Sequence, residues 1–175
     1  MNANYFYTWT KQNNAANFHL EAADDYSFHT KEYGRVFDLS SVSYQASFGN
    51  NNSFITSEIT KQLKRFSVAS PKAAFDLKDR VTKKILKLLA LPTGGKIFYT
   101  TGGAETVENA LKIARQVTGK KFILARSRSY HGATLGALSI TGDWRNPPHA
   151  TVSDWTARIP EPYDDPECIE LEKVI

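Results

Sequence analysis

The chain has 175 residues, 41% of them apolar and 23% charged, with a formal net charge of +4, a mix that buries a core and excludes intrinsic disorder. No run reaches the roughly 18 uninterrupted apolar residues of a membrane span, and Met1 to Thr10 lacks the basic start and apolar centre of a secretory signal, so a soluble, cytoplasmic protein with no membrane partner is expected. A single cysteine, Cys168, and four scattered histidines exclude an internal disulfide and a cysteine-rich zinc cage.

The first 25 residues, with Tyr5, Phe6, Tyr7 and Trp9 followed by Asn13 and Asn14, read as an irregular arm. Tyr26 to Leu39 holds two short runs around Lys31-Glu32-Tyr33-Gly34, the pattern of a two-stranded hairpin closed by the glycine. Asn50 to Ser53 offers a helix N-cap, and Ile55, Ile59, Leu63 and Phe66 then recur at helical spacing, which predicts a helix from about 53 to 68. Ser70-Pro71 predicts a second helix start, with Leu77, Val81, Ile85, Leu88 and Leu89 as its buried face.

These two helices lie in the most basic part of the chain. Residues 61 to 121 hold 14 basic and 4 acidic side chains, against 3 and 6 before them and 5 and 8 after. A nucleic-acid binder needs such a block. Here Lys61, Lys64, Lys78, Lys83, Lys84 and Lys87 lie between apolar positions, which reads more simply as two amphipathic helices with solvated basic faces. No nucleic-acid partner is expected.

Lys96 to Thr100 reads as a short strand running into Thr101-Gly102-Gly103-Ala104, then a helix with Val107, Ala110, Leu111, Ala114 and Val117 on one side and Gly119 at its end. Lys121 to Arg126 reads as the next strand, and Tyr130-His131-Gly132 leads into a fourth helical stretch ending near Gly142. Strand, glycine turn, helix and strand form a βαβ unit, so an α/β fold with a parallel sheet is expected. Beyond Asn146, five prolines predict irregular or extended chain.

On the residues alone the chemistry stays open. Gly102 and Gly103 let a backbone approach an anion at a helix start, yet two glycines also suit a tight turn with no ligand, and Glu105 and Glu108 already complement the helix dipole. Tyr130 stands where open α/β sheets place ligands and offers a ring to a flat cofactor; packing of that ring on the sheet edge is the competing account. The nucleotide patterns G-x-x-x-x-G-K-[ST] and G-x-G-x-x-G are absent.

Together, GGAETVENALKIAR (Gly102 to Arg115) and SYHGATLGALSITGD (Ser129 to Asp143) resemble the class III aminotransferases. These are pyridoxal 5'-phosphate enzymes of fold type I, and the similarity leans toward the branch that moves amino groups from amines or ω-amino acids to pyruvate or another keto acid. The resemblance implies a small-domain segment over 1–70 and the start of the cofactor-binding large domain over 71–175. It places the phosphate turn on Gly102, Gly103 and Ala104, the ring-stacking residue on Tyr130 with His131 beside it, and substrate-pocket positions on Tyr44 and Trp9. The family more often has serine or threonine where this chain has Gly102. The resemblance also implies a homodimer, and it expects the Schiff-base lysine and the aspartate facing the pyridine nitrogen beyond Ile175, so that these residues alone are inactive. A non-catalytic phosphate- or cofactor-binding module is the main alternative, and a nucleic-acid binder the least favoured one.

Overall fold

The computed structural model describes residues 5–14, 18–91, 94–149 and 154–174. They fall into two compact units, 1–80 and 81–175.

In the first unit, β1 (Leu20–Asp24), β2 (Ser27–Thr30) and β3 (Gly34–Phe37) form an antiparallel sheet in chain order. The expected hairpin is β2 and β3, with Gly34 in the left-handed region at φ +64°. A third strand lies inside the stretch read as an irregular arm. Leu-Glu-Ala-Ala-Asp has no β-branched residue, and pairing with β2, helped by the Asn51 amide donating to Ala23 O, holds it extended. Among the described residues of this unit, Ser27 and Thr30 are the buried polar side chains. Both are satisfied: Ser27 Oγ donates to Asp24 and accepts from Arg35 Nε, and Thr30 Oγ1 donates to Gly34 O and accepts from Tyr33 N. The hydrogen bond from His29, then that from Ser27, draws the Asp24 carboxyl down to about 2.

After β3 the chain makes the single turn α1 (Ser41–Tyr44), with Ser41, Val42, Ser43 and Tyr44 at φ +50°, +47°, +55° and +73°. The Asp38 carboxylate holds its entry, accepting from Ser40 N, Ser40 Oγ and Val42 N at 2.8 to 3.0 Å. Helix α2 (Ser53–Arg65) starts as expected, with the Asn52 side chain accepting from Ile55 N at 3.2 Å. It stops short of residue 68 because Phe66 turns extended and packs edge-on against Phe75, ring centroids 5.2 Å apart. Helix α3 (Asp76–Leu88) corrects the start expected at Ser70-Pro71. Those residues form a turn in which Ala73 N donates to Ser70 O, and the helix begins where Asp76 and Asp79 place carboxylates at its N-terminus. The apolar faces expected to be buried on α2 and α3 carry no buried residue in this chain.

The second unit holds α4 (Gly103–Thr118), β4 (Ile123–Arg126), α5 (Leu135–Ile140), β5 (Thr156–Ile159) and α6 (Ile169–Glu172). Gly119 ends α4 in the left-handed conformation at φ +68°, as the sequence predicts. Residues 96–100 form no strand among the described residues. The parallel pair is β4 with β5, Ile123 opposite Thr156 and Arg126 opposite Ile159, with α5 in the connection. The βαβ unit therefore lies one element later than expected, and β5 sits in the proline-rich stretch read as irregular. Proline punctuates that stretch without entering the four residues of the strand. Leu111, Ala125 and Ile140, one each from α4, β4 and α5, form the core, with Val107, Ile123 and Trp155 against them.

Candidate functional site

The site is built on the N-terminus of α4, a helix of 16 residues. Thr106 N is the first amide to bond back along the helix, to Gly102 O at 3.0 Å, so the amides of Gly103, Ala104 and Glu105 precede the intrahelical ladder. A Cβ added at Gly102 or Gly103 would meet nothing within 4 Å. Unobstructed glycine Cα positions therefore lie beside unladdered donors at the positive end of a long dipole, an arrangement that fits a phosphate group. Glu105 does not fill that space: its carboxylate turns back to accept from Thr101 N and Thr101 Oγ1 at 3.0 and 2.8 Å, and these bonds lower its pKa.

The second turn comes against the first. Gly132 adopts φ +136°, and a Cβ built there would lie 2.7 Å from Ala104 Cβ and 3.0 Å from Ala137 Cβ. Only glycine lets the Tyr130-His131-Gly132 turn approach α4 so closely. The backbone of this turn is anchored by Thr141, whose buried Oγ1 accepts from His131 N at 3.0 Å and donates to Ala137 O at 2.9 Å, and by Gly142 N, which donates to Ser129 O at 2.8 Å.

Ala104 and Gly132 thus join the two motifs singled out in the sequence. The Tyr130 ring is about half exposed, with the Arg145 guanidinium carbon 4.5 Å from its centroid. Burial first, then the charges of Arg126 and Arg158, hold the His131 imidazole below its usual range, so it is neutral at pH 7. Trp9 and Tyr44 belong to the first unit, where Tyr44 is 87% exposed at the end of the left-handed turn.

Several side chains that frame the site carry no motif signature. Glu108, read from sequence as a dipole partner of its own helix, caps α5 instead. Its Oε1 accepts from Thr134 Oγ1, Gly136 N and Ala137 N at 2.6, 2.8 and 3.2 Å. The Thr134 hydroxyl is the largest cause of its lowered pKa, against an opposing contribution from burial. At the other end of α5, Arg158 donates to Ser139 O, Ile140 O and Thr141 O, while the Asn146 amide donates to Leu138 O and Thr141 O. The buried Glu161 carboxylate accepts from Arg128 N at 3.0 Å and pairs with Arg126 at 3.0 Å, closing the chain just after β4. Spacing alone does not show these long-range partners. The only sequence signal was a carboxylate one turn into α4, followed 26 residues later by Thr134.

The α/β fold that carries these two turns matches that of pyridoxal-phosphate-dependent transaminases. The structure of taurine:2-oxoglutarate aminotransferase from Bifidobacterium kashiwanohense, in complex with PLP and glutamate, superposes with a TM-score of 0.83 at 30% identity, over 91% of this chain and 36% of that one. A thermostable omega transaminase variant shares the fold at TM-score 0.87 and 15% identity, over 97% and 43% of the two chains. The class-III aminotransferase family matches residues 10–173, and the chain belongs to that family, whose members depend on pyridoxal phosphate. Acetylornithine aminotransferase of Methanosarcina acetivorans is 40% identical over 92 residues, 51% of this chain and 23% of that protein. A [LysW]-aminoadipate semialdehyde/glutamate semialdehyde transaminase of Sulfurisphaera tokodaii is 29% identical over 137 residues, 74% and 32% of the two. The chain spans no more than a third of the length of these two curated relatives.

Proposed function

We propose that this chain supplies the phosphate seat and ring wall of an aminotransferase that moves an amino group from an amine or ω-amino acid to a keto acid such as pyruvate. The observation that carries the reading is the close approach of Gly132 to Ala104, which puts the open amides of α4 and the Tyr130 turn side by side. Bound pyridoxal phosphate would supply the electron sink of amino transfer. The protein's own part begins with the Gly103 and Ala104 amides, which hold the phosphate. Tyr130 then orients the ring, and the neutral His131 sits beside it without adding charge.

The compact units at 1–80 and 81–175 support a division into a small-domain segment and a cofactor domain near the proposed boundary at residue 70. Tyr44 and Trp9 are proposed for the substrate side, within a homodimeric cytoplasmic enzyme. No helix among the described residues is long and apolar enough to cross a membrane. The Schiff-base lysine is proposed to lie outside these 175 residues, as the 36% and 43% coverage of the structural neighbours suggests. In the full-length protein, Tyr130→Ala is expected to weaken cofactor retention roughly fivefold to thirtyfold with the fold intact, the scale of one aromatic contact. Unchanged affinity in a dialysis titration would show that Tyr130 only packs the sheet edge.

A further inference from the structure

The Tyr130 turn is pinned at its backbone by Thr141 and Gly142, but hydrogen bonds to the backbone do not set the plane of a half-exposed ring. That plane has another contact. The Arg145 guanidinium carbon lies 4.5 Å from the Tyr130 centroid and 4.6 Å from the Trp144 centroid. Arg145 is itself held: Nη1 pairs with the Asp143 carboxylate, and Arg145 N donates to Asp143 Oδ1 at 3.0 Å. Both side chains are largely withdrawn from solvent, at 25% and 16% exposure, where an ion pair is screened less than at the surface.

We propose that Arg145, braced by Asp143, is a positioning residue that fixes the Tyr130 ring as the wall on which the cofactor's flat ring stacks. This role rests on the reading of Tyr130 as the stacking residue. A planar guanidinium over a phenol face restricts rotation of that ring and leaves the cofactor only the face opposite Arg145. A bare cation there would oppose a protonated pyridine ring stacked on the far side. The Asp143 carboxylate offsets that charge, so the pair braces the ring without making the seat strongly cationic. Asp143 and Arg145 are two residues apart, on the segment that Asn146 ties to the end of α5 through Leu138 O and Thr141 O. The brace and the cofactor turn therefore share one local scaffold.

The test is a double-mutant cycle on the full-length protein with pyridoxal phosphate as probe. It reads the dissociation constant and the visible-region circular dichroism of the bound cofactor, which reports how firmly its ring is oriented. Arg145→Gln is expected to weaken retention about threefold to tenfold and to reduce the dichroic band. The same substitution made on Tyr130→Ala should change affinity less than about twofold, because the ring it braces is gone. Made on Tyr130→Phe, which keeps the ring face, it should retain its full effect. Asp143→Asn, which loosens Arg145 without removing it, should follow the same dependence on Tyr130 and covers the case in which Arg145→Gln fails to fold. An effect of equal size with and without the Tyr130 ring would overturn the proposal, and so would no effect at all. A wild-type protein that retains no pyridoxal phosphate would instead overturn the cofactor reading itself, and this role with it.

Discussion

Gly102 and Gly132 look alike in sequence, each a glycine beside a helix start, but the structure gives them opposite tolerances. Gly102 is extended, at φ −158° and ψ 162°, and faces open space, so Gly102→Ser is expected to leave stability within about 0.5 kcal/mol of the parent. In the full-length protein the added hydroxyl should tighten phosphate binding by offering the anion one more donor. Gly132→Ala forces a side chain into φ +136° and onto Ala104, and is expected to cost about 1 to 3 kcal/mol and to loosen phosphate binding. Denaturant unfolding beside a phosphate titration measures both. Glu108 is the other residue whose role is set by what lies across from it. Its folded pKa is lowered by Thr134, Ala137 and Gly136, so the stability it adds is full above its unfolded value of about 4.3 and is lost as pH falls through the folded one. Glu108→Gln should therefore narrow the stability gap between pH 7 and pH 3, and an unchanged pH profile would count against the cap.

At the scale of elements, packing separates helices that look equivalent by periodicity. Leu111 on α4 is 8% exposed in the core with Ala125 and Ile140, whereas Leu63 on α2 is 56% exposed. Leu111→Ala is expected to cost about 2 to 5 kcal/mol and Leu63→Ala less than about 1 kcal/mol in this chain, as thermal unfolding of the two variants would show. Helical spacing located α2 and α4 because both carry an apolar stripe, and the Asn52 and Gly119 caps fixed one end of each. Spacing could not tell which stripe finds a partner, since that depends on elements distant in the chain. The same limit explains the two strands not expected from sequence: β1 and β5 are held by ladders to β2 and β4, β1 without a β-branched residue of its own and β5 as four residues within a stretch punctuated by prolines. The expected strand at 96–100 shows the converse, because apolar and β-branched residues make a strand only where a neighbour accepts the ladder. At the site, the two glycine turns were legible because glycine is what close approach requires. Glu108, Arg158 and the Arg145 contact to Tyr130 were not, because those partners lie far along the chain and are set by the fold.

For the whole molecule, the decisive feature is how much apolar surface these 175 residues leave open. Phe6, Leu39, Tyr44, Phe48, Val68 and Val117 are each at least 77% exposed, an arrangement that favours association. Several lysines are engaged at other places, Lys78 among them through Ala73 O. Lys61 pairs with Glu58, Lys121 with Asp154 and Lys173 with Glu170, and Lys112 bonds Asn109 and lies over the Phe98 ring. With the Schiff-base lysine proposed to lie outside these residues, the anion seat would hold the phosphate without forming the enzyme–cofactor bond that amino transfer needs. This chain alone is therefore expected to self-associate in sedimentation and to bind pyridoxal phosphate weakly and competitively with inorganic phosphate. With borohydride it should give no adduct fixed at one defined lysine, and with an ω-amino donor and pyruvate no amino transfer. A chain carried on to the length of its relatives should give both. Stoichiometric reduction onto a single lysine of the 175 residues, with turnover, would place the catalytic amine inside this chain and overturn the division of labour argued for the site.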